Sequence, residues 1–417
     1  MRNRRIGHLA VVAAAVLALS GCWLQPRFTE GRTNHNAGEQ ALTAATVGSL
    51  TELWSTSIVS PSITQAQVLA PLAFGDDIYA AAAQFPLGAP GVAASLDADT
   101  GAVRWNTPLE IPFGFALVVD DPAYHGGRVH VPFSGGPAGG RFVLDPATGD
   151  VSQVGQPRRF PSDLAVVDGQ LVTKTVAADP GFVGTQVTWS LFRPTVVSTG
   201  SVESDYAFVG DSIAWTDHIP VAESGTSALG FSPQCPEPPG VPRTAACLPD
   251  WTTDLGAPPG SPTAVGDDAV VYPDSSGTVS VLDMATGAVQ WQAELGAATL
   301  TQATVTPELI LVGTSDGRLV ALPAGGCGAP TCDPLWEGTL GAGALSVVGA
   351  SDVVYVATAG GMGTIAAFDL AGCGAATCDP LVTVSAGAAL STGGIVHAGR
   401  LTVGTTDGRV VAFGLPG

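Results

Sequence analysis

The sequence predicts an all-β fold, an eight-bladed β-propeller built from four-stranded blades. Two features predict it: evenly spaced turns, and a tryptophan-bearing strand found once at the wrong end of the chain. The turns are Gly75-Asp76-Asp77, His125-Gly126-Gly127, Asp168-Gly169, Gly210-Asp211, Gly266-Asp267-Asp268, Pro307-Glu308, Ser351-Asp352 and Ala398-Gly399. Successive turns lie about 40 to about 56 residues apart, the spacing of solenoids and propellers. Units of that size cannot bury their own apolar faces. They stack on neighbours, and a closed ring removes exposed sheet edges.

The first 21 residues read as a lipoprotein signal peptide. Arg2, Arg4 and Arg5 form a basic start, and Leu9 to Leu19 is an apolar run too short to span a bilayer comfortably. Leu19-Ser20-Gly21-Cys22 then matches a bacterial lipobox. Cys22 is the expected lipidation site, with 22–49 a lipidated N-terminus and linker before a propeller over 50–417. A multi-chain anchor holds such a domain stably on a membrane. Gly38 to Val47 is the best candidate for a short helix.

Each repeat reads as four short strands. The first ends at the turns above; the second is β-branched and aromatic, as in Ile78-Tyr79, Val270-Val271-Tyr272 and Val353-Val354-Tyr355. A hairpin follows, clearest in Thr314-Ser315-Asp316-Gly317-Arg318 and its near copy Thr405-Thr406-Asp407-Gly408-Arg409. Asp-Gly between apolar runs marks such a turn because it needs positive φ. The last turn is Asp-x-x-Thr-Gly, at Asp97 to Gly101, Asp145 to Gly149 and Asp283 to Gly287. The fourth strand carries Trp, three residues, then Leu or Ile: Trp105…Leu109, Trp251…Leu255, Trp291…Leu295 and Trp336…Leu340.

The last repeat stops at Phe413-Gly414 without a fourth strand, while Trp54…Ile58 stands alone near the start. The N-terminal strand is therefore expected to complete the final blade and close the ring. Seven blades remain the alternative if the weak repeat from Asp168 to Val202 is an insertion.

Seven cysteines are present. With Cys22 lipidated, six remain, and their order suggests Cys235 with Cys247, Cys327 with Cys332, and Cys373 with Cys378. The spacing does not favour zinc, and an exported protein favours oxidation. These pairs fall where other repeats use the Asp-x-x-Thr-Gly turn.

Asp-x-x-Thr-Gly-x-x-x-Trp, at Asp97 to Trp105 and Asp283 to Trp291, resembles the repeat of pyrroloquinoline-quinone-type β-propellers. Arg32-Thr33-Asn34-His35-Asn36 resembles the segment leading into their first strand. The resemblance covers the chain from Arg27 onward. It implies that Trp54, Trp105, Trp251, Trp291 and Trp336 dock between blades. That family includes eight-bladed quinoprotein alcohol dehydrogenases and a non-enzymatic lipoprotein of the outer-membrane assembly machine.

A quinone enzyme needs a ring-stacking aromatic, an Arg or Lys, a calcium held by carboxylate and amide oxygens, and an Asp base. This chain has one Lys, Lys174, no adjacent cysteines and no Cys-x-x-Cys-His haem motif. No catalytic, cofactor or metal residue is assigned. Asp76-Asp77, Asp267-Asp268 and Asp120-Asp121 read as turn residues. His125 and His130 flank a turn with no convincing carboxylate partner, and Arg158-Arg159 reads as a solvated loop. The loops at Phe85 to Gly91 and Ser232 to Ala246 exceed hairpin length and are candidates for binding.

Formal charge is −20, and losing the three leader arginines makes it −23. That argues against nucleic acid. The expected protein is an exported, membrane-anchored monomer without cofactor, serving as a scaffold for an envelope protein partner. The alternatives are a quinone-dependent dehydrogenase and a sensor of a small envelope ligand or glycan.

Overall fold

A computed structural model describes residues 22–417 apart from 26, 30–31, 64, 86–89, 111–117, 136–137, 158, 168–169, 179–184, 190–194, 199–202, 210–211, 219–226, 232–250, 261–263 and 267–268. Side chains at 118, 134–138 and between 153 and 268 are described only at 164, 166, 171, 228 and 251–260. The leader, the turns at 168–169 and 210–211, Asp267-Asp268, Arg158, Cys235, Cys247, and the interiors of both long loops lie outside the described residues.

The fold is all-β, and its strands form successive sheets of four-stranded type. The first sheet runs through Leu72–Phe74, Asp77–Phe85, Gly91–Asp97 and Val103–Leu109, with Gln65–Val68 continuing the inner edge. The second holds Val118–Val119, Ala123–His125, Arg128–Gly135, Ala138–Leu144 and Val151–Pro157. The weak repeat forms a sheet of its own, Arg159–Val167, Gln170–Ala178, Thr185–Trp189 and Thr195–Ser198. A fourth sheet ends in Trp251–Asp254 and a fifth in Val289–Glu294. The sixth ends in Trp336–Thr339 and the seventh in Val382–Ser385.

The eighth sheet joins the two ends of the chain. Thr51–Ser57 pairs antiparallel with Arg409–Gly414, which pairs with Arg400–Gly404 and then Ile395–His397. The Trp54 strand thus stands as the fourth strand of the last repeat. A bulge between Glu52 and Trp54 re-aims the tryptophan. The eighth sheet also meets the first. Ala66 donates to Thr406 O at 3.0 Å, Ser391 Oγ to Val68 O at 2.6 Å, and Arg400 pairs with Asp99.

The core lies between sheets. Tyr79, Ala81 and Trp105 of the first sheet pack on Val129, Val131 and Phe133 of the second. Val271 and Val281 of the fifth meet Ile310 and Val320 of the sixth. Such face-to-face burial of alternating apolar residues is what drives the repeats to stack.

The short helix expected over Gly38 to Val47 is not present; residues 38–46 form turns, and one 3-10 turn spans Val47–Ser49. Glu39 explains the difference. Its carboxylate accepts the amides of Gln40, Ala41 and Leu42 at 3.0, 2.7 and 3.3 Å, and that of Gly399 at 3.0 Å. Side-chain capture of successive amides competes with helical bonding.

Candidate functional site

Each described tryptophan of the repeat docks on the next sheet. Trp54 Nε1 donates to Ala98 O at 3.0 Å, Trp105 to Pro146 O at 2.8 Å, and Trp251 to Met284 O at 2.9 Å. Trp336 reaches Leu370 O at 3.3 Å. In the first three, the ring lies on the glycine of an Asp-x-x-Thr-Gly turn. A Cβ added to Gly101, Gly149 or Gly287 would meet the indole at 2.5, 2.7 or 2.3 Å, and each glycine has positive φ.

The threonine two residues after these tryptophans was not singled out from the sequence. Thr56, Thr107 and Thr253 donate to the carbonyls of Gly101, Gly149 and Gly287 at 2.8, 2.9 and 2.6 Å. Trp291 and Trp336 are followed by Ala293 and Gly338 instead. These two face cysteine loops, so the Trp-x-Thr signal was present wherever a Thr-Gly turn awaited it. Trp291 packs on Gly326, and its indole nitrogen has no hydrogen-bond partner among the described residues.

Cys327 is bonded to Cys332 and Cys373 to Cys378. The loops do more than replace a turn. Gln292 N donates to Pro330 O at 2.9 Å, and Cys332 N returns to Gln292 O at 2.8 Å. Thr377–Cys378 pairs parallel with Glu337 and Gly338. Each loop thus covers the outer edge of the preceding sheet. Removing either bridge by a double Cys→Ser change is expected to cost about 2 kcal/mol through loop entropy. Chemical denaturation of the oxidised parent and the variant would measure it.

Asp77 and Asp121, read as turn residues, bond beyond their own turns, whereas Asp97 bonds within its own. Asp77 Oδ1 accepts Ser95 Oγ at 3.0 Å and pairs with Arg104 at 3.1 Å. Asp97 accepts Thr100 N and Oγ1 at 2.9 and 2.8 Å, which holds its pKa below the usual value. Asp121 Oδ1 accepts Ala70 N at 2.9 Å. His125 and His130 lie with ring centroids 6.3 Å apart. No cluster of three or more metal-ligating side chains occurs among the described residues.

His130 is 7% exposed, and its Nδ1 has no hydrogen-bond partner among the described residues. Burial, then the Arg141 guanidinium, push its pKa down to about 4 from 6.5. The unfolded chain therefore binds more protons between those values, and stability falls as pH falls through that window. A denaturation midpoint flat above pH 7 and declining from pH 6.5 toward 4 is expected, with His130→Gln shallower over the same range.

The segment at 22–36 crosses the inner strands. Trp23 exchanges amide and carbonyl bonds with Ala73 of the first sheet at 2.9 and 3.0 Å. Tyr124 N of the second donates to Leu24 O at 2.7 Å, and Val166 N of the third to Gln25 Oε1 at 2.5 Å. Further on, Val305 N of the sixth donates to Thr33 O at 2.8 Å. His35–Asn36 pairs parallel with Gly349 and Ala350 of the seventh. Asn36 Nδ2 reaches Val396 O of the eighth at 2.8 Å. Cys22 itself is buried, at 8% exposure.

A cavity of 270 Å³ remains beside this segment, reached by Trp23, Arg27, Asn34, Asp121, Gln302 and Thr392. Asn34 and Gln302 spend amide donors on the carbonyls of Val347 and Arg32, each at 2.8 Å. These residues do not fit a quinone held by calcium. Among the described residues Asp121 is the one carboxylate lining the cavity, and a single carboxylate does not serve as both metal ligand and base. Trp23 is 1% exposed and packed on Phe28, with centroids 4.8 Å apart.

Residues 249–326 match the family model described as outer membrane protein assembly factor BamB. No curated protein sequence matches the chain. Among solved structures, the quinohemoprotein alcohol dehydrogenase of Comamonas testosteroni is 13% identical with a TM-score of 0.68, covering 98% of this chain and 84% of its own. Quinohemoprotein alcohol dehydrogenase ADHIIG of Pseudomonas putida HK5 is 11% identical with a TM-score of 0.67, covering 96% and 81%. The computationally designed Ika8 protein is 14% identical with a TM-score of 0.56, covering 86% and 99%. The fold is thus a propeller of the pyrroloquinoline-quinone repeat type, as the Asp-x-x-Thr-Gly-x-x-x-Trp motif implies.

Proposed function

We propose that this chain is a lipid-anchored scaffold of the bacterial envelope, binding a protein partner and carrying no chemistry of its own. One observation carries it: the chain's own residues 23–36 are bonded to the inner strands of six sheets. In this reading the segment occupies the centre of the ring, and the cavity beside it does not suit a calcium-held quinone. The outer surfaces are left for recognition. The match of 249–326 to an assembly-factor family supports the same reading. Two closed disulfides fit an oxidising compartment.

The proposal includes a leader over 1–21, acylation of Cys22, and a third bridge between Cys235 and Cys247. It also includes a closed ring of eight blades over 50–417. The pairing of Thr51–Ser57 with Arg409–Gly414 and the docking of Trp54 on Ala98 support that closure.

In-cell crosslinking and purification of the tagged protein, beside a Cys22→Ala control, tests the reading. A recurrent near-stoichiometric envelope protein, reduced in the control, is the expected result. Failure to capture any would overturn it. The dehydrogenase reading keeps the support of whole-chain fold likeness. Uptake of quinone and calcium with dye reduction by the purified protein would establish it instead.

A further inference from the structure

We propose that the groove between the sixth and seventh sheets binds a basic, leucine-bearing segment of a partner protein. The inference rests on the scaffold reading and names the partner's chemistry. The groove has a volume of 980 Å³ and opens on the face carrying the turns Pro307-Glu308 and Ser351-Asp352. Leu309, Leu335 and Leu370 line it, and Leu335 is 52% exposed. A large aliphatic side chain that open beside other apolar residues is the feature of a recognition pocket rather than of a core.

The rim is acidic. Glu308, Asp352 and Asp369 line the groove, and among the described residues no Lys or Arg does. Two of the carboxylates are fixed in place: Asp352 accepts Ala44 N at 2.9 Å, and Asp369 accepts Ala371 N at 2.8 Å. His35 closes the inner end, and burial lowers its pKa, so it does not offset them. A segment that places an aliphatic side chain against Leu335 and flanks it with Lys or Arg matches both features. Charge of this kind steers and orients such a partner.

The groove is preorganised by the cysteine loop. Gly372, Gly374, Ala375 and Ala376 form one wall, and the Cys373–Cys378 bond closes that loop. Trp336 supports the wall from beneath, packed against Gly372. A rigid wall lowers the ordering cost of binding.

Fluorescence anisotropy with a labelled lysine–leucine peptide tests it, using the full mature chain. The controls are glutamine–leucine and lysine–serine peptides of equal length. The lysine–leucine peptide is expected to bind, and Leu335→Asp and Glu308→Lys should each weaken it about tenfold. Glu52→Lys, an exposed acid on the eighth sheet, should leave it unchanged. Equal binding by either control peptide, or parental affinity in both groove variants, overturns the proposal. Running the in-cell crosslink on Leu335→Asp separates the two readings. A partner captured at parental yield sinks the groove and leaves the scaffold; no partner in the parent sinks the scaffold.

Discussion

Trp54→Ala is expected to lower stability by about 3–5 kcal/mol, the cost of emptying a buried tryptophan site. Trp54 is 8% exposed and belongs to the seam where the two ends of the chain meet. The change removes its bond to Ala98 and leaves a void over Gly101. Trp105→Ala is the matched control. It removes the same contact, onto Pro146, from a strand whose neighbours are continuous in sequence. Urea denaturation should register both losses. Hydrogen exchange should separate them: in Trp54→Ala, amides of 51–57 and 409–414 lose protection together, as a local opening of the seam. Equal protection of those strands in both variants would sink the idea that Trp54 fastens it.

Trp23→Ala carries the second large effect, also about 3–5 kcal/mol. The residue follows the proposed lipidation site, where a linker would tolerate almost any substitution. Instead its side chain is 1% exposed, in a core that includes Leu42, Val348 and Val396. Its backbone bonds to Ala73 remain in the variant, so the expected loss is one of packing. Cys22→Ala in the same background provides the comparison. A destabilisation for Trp23→Ala below about 0.5 kcal/mol, the range of a surface change, would mean that 22–25 does not rest on the inner strands in solution.

The repeat was legible because it is written in side chains with special backbone or packing demands. Asp-Gly marks the hairpins, Asp-x-x-Thr-Gly marks the docking turns, and tryptophan at the wrong end of the chain marks the shared eighth sheet. The cysteine loops were legible as staples but not as edge covers. Their pairing to Gln292 and Glu337 uses backbone groups, which leave no trace in residue type. The path of 22–36 was hidden for the same reason. Trp23, Leu24 and Thr33 are held by main-chain bonds, to which Gln25, Asn34, His35 and Asn36 add side-chain ones. Glu39 inverted an expectation: in a stretch composed like a short helix, one carboxylate gathers three amides and makes a turn.

The pairing of Thr51–Ser57 with Arg409–Gly414 also dictates an order of events. Thr51–Ser57 emerges long before 409–414, and until then its partner does not exist. In that interval it is an unpaired segment with a tryptophan at its centre. Joining it closes a very long loop, whose entropic cost grows slowly with length but whose search is slow. A chain made from its N-terminus would thus hold this latch open until 409–414 arrives. Truncation of a few C-terminal residues should be felt at the opposite end of the sequence.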